Sequence, residues 1–250
     1  MITPGLTPNG ALIQGVEARF PWFLLATLLP ILAMPFTNLD GNLAERICLP
    51  LVGLNLVVQS LRIMPARGAG LKLLGSKRLY SGLGLVAAIA LWVPFLLGPE
   101  GPTPVVILVL TGLCSFYLFT AVRILQILAQ VEGVGARTLC LGAAGYVHLG
   151  LSAGQLATLM QVINPSNFSL GTMLPGSEVI ERLTYFAFIT LGSIGYGDVL
   201  PATPEAEFFA VCVSITGTLY MSLMIGLLLS RYINDQTQKL VEQLDDDLKG

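Results

Sequence analysis

Charge is what this sequence has least of. Of its 250 residues, 13 are Lys or Arg and 15 are Asp or Glu, which makes only 11% charged. A soluble domain carries about a quarter, so there is too little solvating surface here for a soluble enzyme or a disordered chain. The net charge of −2 leaves no basic footprint and excludes a nucleic-acid binder. Cysteine is sparse too. Cys48, Cys114, Cys140 and Cys212 each lie in an apolar stretch with no close pair. That excludes a CxxC zinc site and argues against a disulfide framework, leaving small buried hydrophobes. Residues 1–18 contain no Lys or Arg. They lack the charged start of a signal peptide and read as a short polar tail on the cytoplasmic side. What is abundant is apolar: 54% of residues are hydrophobic, which points to a bilayer.

A membrane helix needs about 20 mostly apolar residues. Such stretches run from Arg19 to Phe36, Ile47 to Met64, Tyr80 to Leu97, Pro104 to Leu128, Thr138 to Ile163 and Phe208 to Tyr232. Val179 to Leu191 is apolar but too short to cross, as a re-entrant half-helix would be. The predicted fold class is an all-α membrane protein with six transmembrane helices, a re-entrant pore half-helix and a loop after it. Lys and Arg set the orientation. Arg67, Lys72, Lys77 and Arg78 follow span two with Arg62 just before them, Arg137 follows span four with Arg123 before it, and the end of the chain holds Arg231, Lys239 and Lys249. The opposite loops hold Arg46 and Arg182 against Asp40, Glu45, Glu100, Glu178 and Glu181. Both termini are therefore predicted to be cytoplasmic, with the half-helix entering from outside. Pro175 and Gly176 precede Ser177, a candidate N-cap, and Glu178 and Glu181 suit the positive end of the half-helix dipole.

After the half-helix comes Thr190-Leu191-Gly192-Ser193-Ile194-Gly195-Tyr196-Gly197-Asp198. This resembles the selectivity filter of the tetrameric potassium channels, whose signature reads TVGYG followed by Asp. The resemblance covers about Thr138 to Tyr232. The first four spans resemble the family only in number and orientation, and the whole resembles its small prokaryotic, six-transmembrane-type members. The resemblance implies K+ ions held at Ser193, Ile194, Gly195 and Tyr196, with Gly197 completing the filter and Thr190 and Asp198 supporting it. It also implies a fourfold homotetramer. Physics agrees: a dehydrated cation needs a ring of oxygens, which backbone carbonyls supply where non-helical chain lines a water-filled path. Aligning successive carbonyls requires alternating backbone hands, and Gly195 and Gly197 take positive φ easily. Ile194 and Tyr196 then turn outward and brace the ring. Ser193 stands where the family has Thr, Ile194 where it has Val, and Gly192 where it often has a further Thr. These departures loosen the inner end of the filter.

Four regions follow: the tail 1–18, a peripheral four-helix region 19–130, a pore domain 137–232 and a cytoplasmic tail 233–250. In the last span, Gly217 lies where the family places a hinge glycine, and Gly226 is a second candidate. Close packing by a small residue is the equal alternative at Gly217. Thr216, Thr218 and Ser222 either wet a cavity wall or bond back to their own helix. Span four carries Arg123 alone, and spans one to three hold no interior Asp or Glu. A voltage sensor needs repeated cations with acidic partners, so weak or absent voltage dependence is expected. Arg123 reads as an anchor snorkelling to headgroups. In the tail, Val241, Leu244 and Leu248 hint at a short helical bundle.

One motif suggests another class. Gly150-Leu151-Ser152-Ala153-Gly154 matches GxSxG, with His148, the single histidine, four residues before Ser152. A nucleophile elbow needs a strand-to-helix turn, whereas this motif lies inside an apolar span with no acid to orient the histidine. An intramembrane serine hydrolase is thus the remote alternative and a poorly selective cation channel the nearer one. Small residues at such spacing serve helix contact, and His148 reads as a buried hydrogen-bonded histidine before a proton sensor. Asn167-Phe168-Ser169 is a glycosylation sequon with nothing to suggest its use. The expectation is a potassium-selective channel with no enzymatic activity and no cofactor beyond the permeant K+. Its partners are membrane lipids and copies of itself, without nucleic acid, in a prokaryotic plasma membrane.

Overall fold

The computed structural model describes residues 17–33, 43–63, 77–97, 103–129, 136–171 and 176–249. The elements, in order, are α1 (Phe20–Ala33), α2 (Leu43–Ile63), α3 (Lys77–Leu97), α4 (Thr103–Leu128), α5 (Ala136–Ile163), β1 (Phe168–Ser169), α6 (Gly176–Leu191), β2 (Leu200–Pro201) and α7 (Pro204–Lys249). The helices follow from long apolar runs whose few hydroxyls are satisfied locally. Thr27 donates to the Phe23 carbonyl at 2.8 Å, Ser60 to Leu56 at 2.8 Å and Thr120 to Phe116 at 2.8 Å. Such back-bonding keeps these three hydroxyls from standing open to hydrocarbon.

Among the described residues two helices are long and apolar enough to cross a membrane, Thr103–Leu128 and Pro204–Val241, and Phe20–Ala33, Pro50–Ile63 and Leu79–Val93 are shorter apolar helices. Trp22, Leu85, Ile89 and Leu108 are all more than half exposed. Apolar side chains displayed on this scale mark a surface facing lipid or another subunit.

Helix α5 joins two cores. One of its faces, with Leu141, Ala144, Val147 and Leu151, packs on Phe20 and Phe23 of α1 and Phe116 and Tyr117 of α4, in a cluster that also holds Leu56, Ile63 and Tyr80. Another, with Leu149, Ala153 and Ala157, packs on Leu183, Phe186, Ala187 and Leu191 of α6 and, beyond them, Phe209, Val213 and Tyr220 of α7. The peripheral bundle therefore rests directly on the outer helix of the region that carries the filter motif.

Several boundaries differ from expectation. The half-helix starts at Gly176, three residues before Val179, and has 16 residues. That start puts Ser177 inside the first turn rather than before it, with Glu178 in that turn and Glu181 beyond it. The Ser177 side chain and Pro175 lie outside the described residues, as do residues 1–16, 34–42 and the loop cations Arg67 and Lys72. The last helix does not end at Tyr232. It continues to Lys249 over 46 residues, about 69 Å at a rise of about 1.5 Å per residue. Cys114, Cys140 and Cys212 are free thiols, while the side chain of Cys48 is outside the described set.

Candidate functional site: a filter loop between two helices

Helix α6 ends in a chain of backbone bonds that launches the filter loop. The N–H of Gly192 donates to the Phe188 carbonyl at 2.9 Å, that of Ser193 to Thr190 at 3.0 Å and that of Ile194 to Ile189 at 2.8 Å, with Gly195 also directed at Ile189 at 3.3 Å. The loop then alternates hand. Ser193, Gly195 and Gly197 have φ of 56°, 58° and 79°, while Ile194, Tyr196 and Asp198 do not enter that region. Alternation at every second residue points successive carbonyls the same way, as an oxygen-lined path requires. The glycines tolerate it at no steric cost. Ser193 does not, since left-handed backbone costs an L-residue about 1–2 kcal/mol. Its hydroxyl lies 3.5 Å from the Ser214 hydroxyl of α7.

At the other end of the loop, Asp198 pairs with Arg182 of α6 at 3.2 Å. The Arg182 guanidinium sits 5.6 Å from the centre of the Tyr185 ring, and that ring lies parallel to Tyr196, 6.5 Å away. Thus Tyr196 turns back to its own half-helix. Ile194 and Tyr196 are more than half exposed in the single chain. Thr190 contributes its carbonyl to the Ser193 bond.

Sequence reasoning missed the lock that holds the loop's outer flank. Gln161 imitates a strand: its Nε2 donates to the Pro165 carbonyl at 2.8 Å and its Oε1 accepts from the Phe168 N–H at 2.9 Å. The buried Asn167 donates from Nδ2 to the Met160 carbonyl at 2.7 Å and accepts from the Thr203 hydroxyl at 2.7 Å. Thr203 caps α7 by accepting from the Ala206 N–H at 3.3 Å, and Pro204 occupies the first helical position, which suits proline. β1 pairs with β2 beside this knot. The sequon asparagine is thus a buried cross-link between the ends of α5 and the start of α7.

The glycines of α5 explain the GxSxG motif. A Cβ at Gly150 would run into the Phe188 ring, and one at Gly154 would come within 2.9 Å of the Thr184 backbone. One turn earlier, Gly145 abuts the Tyr220 hydroxyl, which donates to the Gly142 carbonyl at 2.8 Å. The motif is a docking stripe for the half-helix, and Gly142 and Gly145 before it serve the last helix. His148 and Ser152 do not form a dyad: the His148 Nδ1 bonds the Ala144 carbonyl at 2.9 Å, and neither the His148 Nε2 nor the Ser152 Oγ has a partner among the described residues.

Gly217 is where α7 meets the half-helix. A Cβ there would strike the Leu191 carbonyl oxygen, so close approach demands glycine at this position. At Gly226 a Cβ would meet nothing within 4 Å. Helix α7 runs unbroken through both. Thr216, Thr218 and Ser222 bond back to Cys212, Ser214 and Thr218 at 2.7, 3.1 and 2.8 Å. Arg123 does not reach outward. It is 3% exposed, with its guanidinium 5.7 Å from the centre of the Tyr80 ring, whose hydroxyl meets that of Thr120 at 3.0 Å. The snorkelling anchor expected from sequence is instead a buried cation held on an aromatic face.

Comparison with known proteins fits this geometry. The family described as "Ion channel" matches residues 154–234. "Two pore potassium channel c" of Oryza sativa subsp. japonica is 32% identical over 80 residues, 32% of this chain and 17% of that protein. "Two-pore potassium channel 4" of Arabidopsis thaliana is 21% identical over 61 residues, 24% of this chain and 22% of that protein. "Voltage-gated potassium channel" of Aeropyrum pernix is 40% identical over 42 residues, 17% of this chain and 14% of that protein. The chain therefore spans under a quarter of the length of each of these relatives. No solved structure matches at a significant level. The family and these relatives are ion channels, not enzymes. Residues 154–234, which hold the half-helix, the alternating loop and the greater part of the last helix, thus match the ion-channel family, and the relatives similar to this stretch are named as potassium channels.

Proposed function

We propose that the protein conducts K+ passively and selectively through a ring of backbone carbonyls contributed by Ser193 to Gly197 of four identical chains. The observation that carries this reading is the alternation of positive φ at Ser193, Gly195 and Gly197. It orients consecutive carbonyls to one side, and one chain alone supplies only a fraction of the oxygens a dehydrated ion needs. Support for the homotetramer comes from the exposed loop side chains and from Val211, Ile215, Leu219 and Leu223 on α7, each more than half exposed. An isolated helix this apolar needs lipid or another copy against it. In this reading all six apolar segments span the bilayer, both termini are cytoplasmic, the membrane is a prokaryotic plasma membrane and α6 enters from outside. Its negative C-terminal end then points at the central cavity and favours a cation there. The filter residues Ser193, Ile194, Gly195 and Tyr196 hold the ions, with Thr190 and Asp198 in support.

Voltage dependence is weak in this account. Arg123 is the single cation of α4, packed on Tyr80. Each elementary charge crossing the full field contributes about 2.3 kcal/mol per 100 mV, so four copies crossing part of it contribute only a few. Flux from proteoliposomes tests the proposal. Vesicles loaded with K+ should release it down its gradient through the purified protein, while Na+-loaded vesicles retain their ion. Equal release of both ions would favour a poorly selective cation pore.

A further inference from the structure

The start of α1 and the end of α2 bring two cations together with no acid to answer them. The Arg19 carbonyl accepts the first helical bond of α1, from the Phe23 N–H at 2.9 Å. Its side chain reaches the last turn of α2, where Nη1 donates to the Arg62 carbonyl at 3.3 Å. Arg62 is the basic residue of that turn. Both arginines are exposed. Among the described residues no ion pair joins either one to a carboxylate, Glu17 included. The first turn of α1 holds no acid either.

Helix-end electrostatics accounts for half of this arrangement. A cation suits the negative C-terminal end of α2, so Arg62 and the capping bond from Arg19 are favourable there. The Arg19 charge also lies at the positive N-terminal end of α1, where it is unfavourable, and near a like charge. Its bond to the carbonyl uses one of five guanidinium N–H donors. Two exposed guanidinium forks rooted at one helix junction, with donors to spare, match the oxygens of a phosphate group.

The surface below the arginines says which kind of phosphate. Trp22, three residues after Arg19 and so its neighbour on the helix surface, is 68% exposed, and the exposed Leu25, Leu29 and Leu32 continue the stripe along α1. On α2, Val58 lies one turn below Arg62 and is exposed, and Asn55 beyond it is the exposed polar side chain of that face. Arginine and tryptophan at one end of an apolar stripe are placed as at a membrane interface. A soluble anion makes no use of the stripe. A phospholipid uses all of it, with its phosphate at the arginines, its acyl chains along α1 and its ester carbonyls within the zone where Asn55 offers an amide.

We propose that Arg19 and Arg62 bind the headgroup of an anionic phospholipid whose acyl chains lie along the Trp22–Leu32 face of α1. Phosphatidylglycerol has the required chemistry, a phosphodiester whose negative charge no attached cation offsets. The choline of phosphatidylcholine would bring a third cation to the junction. The inference rests on α1 and α2 lying in the bilayer, as the channel reading has them, and not on what the filter conducts. Binding is noncovalent and ties the start of α1 to the end of α2.

The chain has two tryptophans, Trp22 and Trp92, so Trp22 can report on its own lipid. The full chain is reconstituted in vesicles of phosphatidylcholine with a minor share of phosphatidylglycerol. Brominated acyl chains, which quench tryptophan fluorescence, are placed on one lipid or the other at the same mole fraction. Trp22 is read in Trp92→Phe, or as the difference between wild type and Trp22→Phe if that variant does not fold. Brominated phosphatidylglycerol should quench Trp22 as though enriched about fivefold, the pull of one basic side chain at a membrane surface, and Arg19→Gln with Arg62→Gln should return the ratio to about one. Equal quenching by the two lipids with both arginines present would overturn the proposal, whether or not the double variant folds. Enrichment that survives in a folded double variant would belong to the whole basic end of the bundle and would also overturn it. Quenching by neither lipid would place another chain over α1, and enrichment abolished by inorganic phosphate but not by chloride of equal ionic strength would assign the arginines to a soluble anion; either sinks the lipid. Selective K+ flux with equal quenching would sink this inference alone, and enrichment without selective flux would sink the channel reading alone.

Discussion

Alanine at Gly217 and at Gly226 should have opposite effects on stability, because the two glycines have different surroundings on the same helix. Replacing glycine by alanine inside a helix favours the helix by about 1 kcal/mol. At Gly226 the new methyl meets nothing within 4 Å in the single chain, so Gly226→Ala should keep that gain. At Gly217 the methyl strikes the Leu191 carbonyl oxygen. Overpacking costs about 1–3 kcal/mol, and here the obstacle is backbone, which cannot rotate away. The net effect of Gly217→Ala is then a loss of up to about 2 kcal/mol per chain, and the two variants differ by about 1–3 kcal/mol. Thermal unfolding of the purified protein in K+ reads this directly. At about 2–4 °C per kcal/mol for a chain of this size, Gly217→Ala should melt several degrees below Gly226→Ala. Equal melting temperatures would refute the steric argument and return Gly217 to the role of a free hinge.

Other expectations follow from the same contacts. Gly195→Ala meets no steric obstacle but holds φ at 58°, so its cost is backbone alone, about 1–2 kcal/mol per chain; the loss should appear as weakened K+ selectivity with near-normal expression, checked by flux competition with Na+. Asn167→Ala strips partners from the Met160 carbonyl and the Thr203 hydroxyl. It should destabilise the protein by about 1–3 kcal/mol in chemical unfolding, and Asn167→Asp, which keeps one acceptor, by less. Arg182→Gln breaks an ion pair whose side chains are both more than a third exposed. It should cost under about 1 kcal/mol, and the difference from wild type should fade in high salt. Arg123→Gln should leave the conductance–voltage relation nearly unchanged from about −100 to +100 mV, since the wild-type slope is already shallow.

The backbone of the loop was legible because its determinants are local. Alternating glycines, the trailing Asp198 and a half-helix too short to span all show in linear order, and the positive φ of Gly195 and Gly197 follows from residue type. Ser193 was not legible, since a non-glycine in that backbone conformation is held by its N–H bond to Thr190 and by Ser214 of the neighbouring helix. Gln161, Asn167 and Thr203 are ordinary polar loop residues until folding brings them together. Arg123 illustrates the same limit. Whether a long cation reaches out to headgroups or lies on an aromatic ring depends on Tyr80, which is 43 positions away. The continuation of α7 had a signal that composition masked. The run from Leu227 to Lys249 is polar in its second half, which reads as a tail, yet it contains no glycine or proline to stop a helix. GxSxG is the converse case, since small residues needed for packing on Phe188 and Thr184 happen to spell a catalytic pattern, and their place inside an apolar span already favoured helix contact.

The most direct test of the central claim is the reversal potential of the purified protein in a planar bilayer, with potassium on one side and sodium on the other. The account predicts a reversal displaced far toward the potassium equilibrium value, which only a filter that replaces the hydration of K+ and not that of Na+ can produce. A reversal near zero, in a protein that conducts, would contradict it.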